Sequence, residues 1–273
     1  MSAESERADE SDSRRPRILV FHKLMPKFSF GATNFSPQRF ERLIQFLVER
    51  GHPFVSLSQP LEAEKPLPAL PVAVCFDDAY SHLAESLPAL IDHYALKPTV
   101  FVPTMHIGQP ARWDYSYRLR PVRHLDLAEI KTLASLGVEF GSHGHSHSDL
   151  TRMDARRLAD ELVRSRAILE DTIGERVTSV SYPFGRCDAR VTDAARNAGY
   201  SLGYTMAFPE PSDTPLTRGR LAVYGYDSTL SISRKINGGP LYGFEQAKAR
   251  ITNRLSGGTI LYGRLFASNA PRH

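Results

Sequence analysis

Cysteine is scarce in this chain: two in 273 residues, Cys75 and Cys187. Two thiols build no disulfide framework, so nothing in the sequence points to an oxidising compartment. Long apolar runs are missing as well. No window holds eighteen uninterrupted apolar residues, which excludes a membrane-spanning helix as a reading of the sequence. Residues 1–16 are polar and charged with no apolar core, so they do not read as a secretory signal and predict a disordered tail. These absences lead to the expectation of a cytoplasmic protein. Clustered charge is lacking too: 34 Lys and Arg are dispersed among 30 Asp and Glu, for a net +4, which argues against a dedicated nucleic-acid binder. Neither internal repeats nor a signature of oligomeric state are visible.

What is present is an ordinary globular composition, 41% hydrophobic and 23% charged, long enough for one large domain of α/β-barrel size covering residues 17–273. Short β-prone apolar runs alternate with helical periodicity. Strands are predicted at Ile18–Phe21, Phe54–Leu57, Val72–Phe76, Thr99–Val102, Val138–Phe140, Val177–Tyr182 and Tyr200–Met206, with Leu221–Tyr224 and Thr259–Tyr262 less regular candidates. Ser36-Pro37 starts a helix whose Phe40, Leu43, Ile44 and Leu47 share a face. Further helices are predicted at 81–94, 127–136, 189–198 and 244–255, and a longer one is capped by Asp154 and closed by Gly174. Residues 23–34 and 58–70 read as loops, and a long loop at 103–123 holds the lone tryptophan, Trp113. Strand–helix alternation implies parallel strands joined by right-handed crossovers, either a barrel or an open sheet.

Four of the strands end in reactive side chains or a tight turn: His22, Asp77-Asp78, His143 to His147, and Pro183-Phe184-Gly185. In α/β barrels the C-terminal rim of the strands is where chemistry is assembled. Taken alone, the pair His143 and His147 is equally a metal-ligand spacing and a solvated histidine-rich turn, and Asp77-Asp78 alone reads better as a turn after a strand. On one rim they gain chemical sense. One carboxylate and two imidazoles make a three-ligand set with open coordination positions, and the second carboxylate can take a proton from a bound water.

At these residues the sequence resembles the polysaccharide deacetylase family, the carbohydrate esterases of the NodB-homology fold. The first family motif, T-F-D-D-G, is similar to Cys75-Phe76-Asp77-Asp78-Ala79; the second, H-[ST]-x-x-H, to His143-Gly144-His145-Ser146-His147; the third to Tyr182-Pro183-Phe184-Gly185. The resemblance spans roughly residues 17–224. It implies a single-domain, distorted (β/α) barrel of about seven strands. It also implies a divalent metal, usually Zn2+, held by Asp78, His143 and His147, with Asp77 as general base.

The departures carry information. The family's last motif, L-x-[IV]-H, supplies a general acid near the C-terminus, where this chain reads Leu261-Tyr262-Gly263. The match is instead Leu19-Val20-Phe21-His22, as in the circularly permuted branch that includes poly-N-acetylglucosamine deacetylases, so a protonated His22 becomes the expected acid. Ser181 stands where the third motif usually carries an arginine that orients the base; Arg220 and Asp227 are candidates to replace it, or are surface residues. The backbone N–H of Phe184 is the expected oxyanion donor. Trp113, Tyr182 and Arg220 are candidate substrate contacts, with Tyr115 and Tyr117 beside Trp113. His145 reads as an exposed loop residue, and His52, His82, His93, His106, His124 and His273 as structural or surface residues. The implied activity is metal-dependent removal of the N-acetyl group from an N-acetylhexosamine-containing glycan or a lipid-linked sugar precursor. Hydrolysis of a non-sugar C–N bond on the same fold, and a catalytically silent carbohydrate-binding protein, are the alternatives.

Overall fold

The computed structural model describes residues 15–25, 33–59, 70–111 and 122–252. Most of the expected tail, Trp113, Tyr115, Tyr117, His273 and the strand expected at 259–262 therefore lie outside the described residues. Seven strands form one all-parallel sheet: β1 (Arg17–Phe21), β4 (Val72–Phe76), β5 (Pro98–Val102), β6 (Glu139–Ser142), β7 (Ser179–Ser181), β8 (Leu202–Tyr204) and β9 (Leu221–Ala222). Their order is β8-β7-β6-β5-β4-β1-β9, the curled sheet of a distorted (β/α) barrel. The first strand thus sits between the fourth and the ninth. Every residue of β4 and β5 is buried, as expected where both faces of a parallel sheet are covered.

The helices form where the chain supplies caps and a single apolar face. In α1 (Pro37–Glu49) the Ser36 hydroxyl accepts from the Arg39 N–H, and Phe40, Leu43, Ile44 and Leu47 are all buried. Helix α2 (Leu83–Tyr94) joins β4 to β5. Helix α3 (Leu127–Ser135) begins with a reciprocal capping box of Asp126 and Glu129. Asp154 caps α4 (Ala155–Ile173), and Gly174 ends it at φ 77°, a conformation glycine adopts without strain. Helix α5 (Ala189–Asn197) lies between β7 and β8, and α6 (Thr229–Asn237) follows β9. Residues 242–252 are also helical. No helix among the described residues is long and apolar enough to cross a membrane.

Three sequence expectations change. The run at 54–57 contributes only one bridge, Phe54 to Val72, because β5 takes that edge of β4 from Val74 onward. Residues 23–34, read as a loop, hold two short parallel strands, β2 (Lys23–Leu24) and β3 (Asn34–Phe35), each too short to show a period. Strand β6 continues through Gly141 to Ser142 instead of ending at Phe140. A Cβ on Gly141 would lie 2.4 Å from the Phe101 ring, so glycine here serves close packing within a strand.

Candidate active site

Register brings the reactive residues together. Phe21 pairs with Phe76 and the Asp77 N–H donates to the Phe21 carbonyl, so His22 and Asp77 leave adjacent strands side by side. Strand β6 delivers His143, whose N–H donates to the Val102 carbonyl. The following loop is fastened from outside the sheet: Glu161 on α4 accepts from the Ser146 backbone N–H at 2.5 Å and from its hydroxyl at 2.9 Å. That anchor lies between the two histidines in the chain. His147 itself takes a left-handed backbone, φ 55°.

The Nε2 atoms of His147 and His143 lie 3.2 and 3.7 Å from Asp78 Oδ1. One donor atom from each of the three residues falls within 4.8 Å of the others. Two facts test whether a metal fits. First, Asp78 Oδ1 is buried yet accepts no hydrogen bond, and an orphaned buried acceptor is costly unless a ligand completes it. Second, donors held tetrahedrally about 2.1 Å from a zinc ion lie roughly 3.4 Å apart, close to the 3.2 and 3.7 Å separations found here. The tautomer agrees. His143 Nδ1 is 2.7 Å from the Ser181 carbonyl, which can only accept, so Nδ1 carries the hydrogen and Nε2 presents its lone pair to the cluster. Burial pushes His147 down to about 3, beyond the opposing pull of Asp78, and keeps that ring neutral.

Asp77 stands apart from this trio with a different partner. Arg220 Nη1 and Nη2 donate to its two oxygens at 2.8 Å each, a bidentate pair inside the barrel. The guanidinium also donates to the Ser181 hydroxyl and the Thr205 carbonyl. Burial, the largest single influence, would raise the Asp77 carboxyl, but Arg220 together with His143 and His22 outweighs it and holds the group well below the usual carboxylate range. His22 is half-buried beside Asp77 and Asp78. Its pKa is lowered by burial against the raising influence of both carboxylates, so the resting ring is neutral rather than protonated.

A sequence model of the polysaccharide deacetylase family matches residues 64–203. The chain belongs to the polysaccharide deacetylase family. YxkH of Bacillus subtilis strain 168, named as a polysaccharide deacetylase, is 23% identical over 210 residues, 76% of this chain and 69% of its own. Among solved structures, the Streptococcus pyogenes deacetylase PplD, in complex with acetate, superposes with a TM-score of 0.69 at 20% identity, over 81% of this chain and 98% of the other. IcaB from Ammonifex degensii gives 0.68 at 20% identity, over 81% and 97%. Both likenesses establish the fold.

In this polysaccharide deacetylase, several expected site residues take other places. Arg220 is neither a surface residue nor a substrate contact: it is fully buried, and its donors are engaged within the protein. Tyr182 is likewise excluded from substrate contact, since it is buried and its hydroxyl donates to the Leu216 carbonyl at 2.8 Å. Asp227 is not on the surface. It is buried and joins Lys235 at 2.5 Å and Lys248 at 2.7 Å, remote from Asp77 in its bonding. His145 is half-buried, with Nδ1 2.8 Å from the Thr104 hydroxyl, and does not join the trio. Phe184 sits at φ 61° with its exposed ring against His147, at 5.0 Å between centroids, at the mouth of the site. Sequence pattern does not mark Glu161 or the fully buried His124 as site residues, because one reaches Ser146 across the turn between β6 and α4 and the other reaches the Asp78 carbonyl 46 residues away.

Proposed function

We propose that this polysaccharide deacetylase is metal-dependent and removes the N-acetyl group of an N-acetylhexosamine, in a glycan or in a lipid-linked sugar precursor. The observation that carries the reading is the orphaned, buried Asp78 Oδ1 facing two imidazole nitrogens. Asp78, His143 and His147 hold the ion, and zinc suits this mixed nitrogen and oxygen donor set. When bound, the metal would supply Lewis acidity, polarising the amide carbonyl and lowering the pKa of a water molecule at the site toward neutrality.

The chain's own residues do the rest. Asp77 accepts the proton of the attacking water; Arg220 keeps its carboxylate ionised and fixes both oxygens in one orientation. Because Arg220 also makes Asp77 a poor place for that proton to stay, the proton passes on, and His22 is the titratable group on the adjacent strand. His22 receives and then donates it to the departing amine nitrogen. The backbone N–H of Phe184 steadies the oxygen of the tetrahedral intermediate, a role whose loss typically costs about 3 kcal/mol of transition-state stabilisation.

The test pairs metal analysis with acetate release over a panel of N-acetylated glycans and small amides. Asp77→Asn is expected to keep zinc at one equivalent and to lose roughly 100- to 10,000-fold in turnover. An active Asp77→Asn enzyme removes the assignment of the base. Acetate release only from non-sugar amides overturns the substrate class while leaving the chemistry intact.

A further inference from the structure

Asp78 and Ala79 follow one another in the left-handed region, at φ 69° and 48°, a conformation L residues rarely adopt even singly. Something must hold this kink, because the aim of the Asp78 carboxylate depends on it and Oδ1 has no hydrogen bond of its own. The segment 122–125 supplies the clip. The Leu125 N–H donates to the Ala79 carbonyl at 2.7 Å, the Ser81 N–H donates to the Arg123 carbonyl at 2.9 Å, and Tyr80 and His124 form an antiparallel bridge. Those contacts are main-chain, and almost any residue would provide them. One contact is specific: His124 Nδ1 lies 2.6 Å from the carbonyl oxygen of Asp78 itself. A carbonyl only accepts, so Nδ1 carries the hydrogen. The ring is fully buried and stacks on Tyr80 at 5.2 Å, so an apolar ring would pack in the same place without the donor.

We propose that His124 is a positioning residue for the metal: by donating to the Asp78 carbonyl it locks the left-handed turn that points Asp78 Oδ1 at His143 and His147. The inference rests on the metal reading above and adds to it a group outside the ligand set. Hydrogen-bonding partners that orient ligands typically change metal affinity 10- to 100-fold when removed.

The experiment measures zinc affinity of the full chain by competition with a chelating dye, alongside the melting temperature of metal-free protein. His124→Phe keeps the ring stacked on Tyr80 and removes the donor; His124→Asn returns an N–H near the Nδ1 position. The expected result is zinc binding weakened roughly 10- to 100-fold in His124→Phe and restored to within about 3-fold of wild type in His124→Asn. Wild-type affinity in His124→Phe overturns the proposal, as does His124→Asn binding no better than His124→Phe. A residue that only filled the core would lower the metal-free melting temperature and leave affinity unchanged. Should His124→Phe fail to fold, histidine ring nitrogen NMR of the wild type carries the test. Zinc is expected to shift the His124 Nδ1 signal together with those of His143 and His147, and an unmoved His124 signal overturns the proposal. A wild type that takes up no zinc, or a His143→Ala variant that binds it equally well, instead overturns the metal reading and this inference with it.

Discussion

A buried carboxylate with both oxygens on one guanidinium behaves differently from one in water. Asp77 lies below its ordinary pKa, so the stability its charge contributes is complete above about pH 4 and is lost only as the solution becomes more acid than that. Arg220→Met should therefore be costly, since stranding a buried charge destabilises by about 3–5 kcal/mol. Activity of that variant should also fall on the acid side at pH values where wild type is flat, because an unpaired buried carboxyl rises; parallel pH–rate profiles in the two proteins would count against this. Arg220→Lys should restore only part of either property, as an ammonium cannot grip both oxygens. His147 gives the opposite experiment. Unfolded, its ring takes a proton near pH 6.5; folded, it refuses one until about 3. Metal-free protein should then lose stability as pH falls below 6.5, by about 1.4 kcal/mol per pH unit for this one group. Urea midpoints at pH 7.5 and 5.5 check the slope.

The elements that carry these residues depend on two glycines in and after β6. Gly141 packs against Phe101 and Ser179, and a methyl group there would lie 2.4 Å and 2.6 Å from their atoms. Gly141→Ala should cost about 1–3 kcal/mol by overpacking and should weaken metal binding, because His143 is two residues on. Gly144 is at φ 73° with Glu161 Oε1 3.1 Å from where a Cβ would stand. Gly144→Ser, which would restore the family's usual hydroxyl, should thus destabilise rather than improve the protein, and thermal melting decides it. Much at this scale was legible. Ser36 and Asp154 cap the helices expected of them, and β4 and β5 were visible as buried apolar runs. His143 and His147 could be proposed as a pair from their spacing because they share one short loop, whereas Asp78 rather than Asp77 as their companion came only with the family resemblance. Arg220 could only be a candidate, since its partner Asp77 is 143 residues away and no local pattern links them. The strands β2 and β3 were hidden because two residues each show no period, and the clip at 122–125 because its bonds, main-chain apart from the one from His124, join segments over 40 residues apart.

Over the whole molecule, one edge of the sheet is secured by charge. Lys235 on α6 is buried, donates to the Ala222 carbonyl at 2.7 Å, and pairs with Asp227, which also binds Lys248 and the Tyr224 N–H. Glu245 joins the cluster through Lys248. Lys235→Met should lower stability by about 1–3 kcal/mol, because Lys248 still pairs with Asp227 and only one of its two cations is lost, while leaving turnover per folded molecule near wild type at low temperature, since no member touches Asp77 or Asp78. The same edge has a temporal consequence. Strand β1 lies between β4 and β9, so during synthesis it waits for a much later part of the chain to flank it. Until residue 220 has emerged, Asp77 would be enclosed without its counter-charge. A nascent chain halted just short of that point should hold the Asp77 carboxylate in solvent and remain open to protease along the seam, whereas one released a few dozen residues later should snap shut.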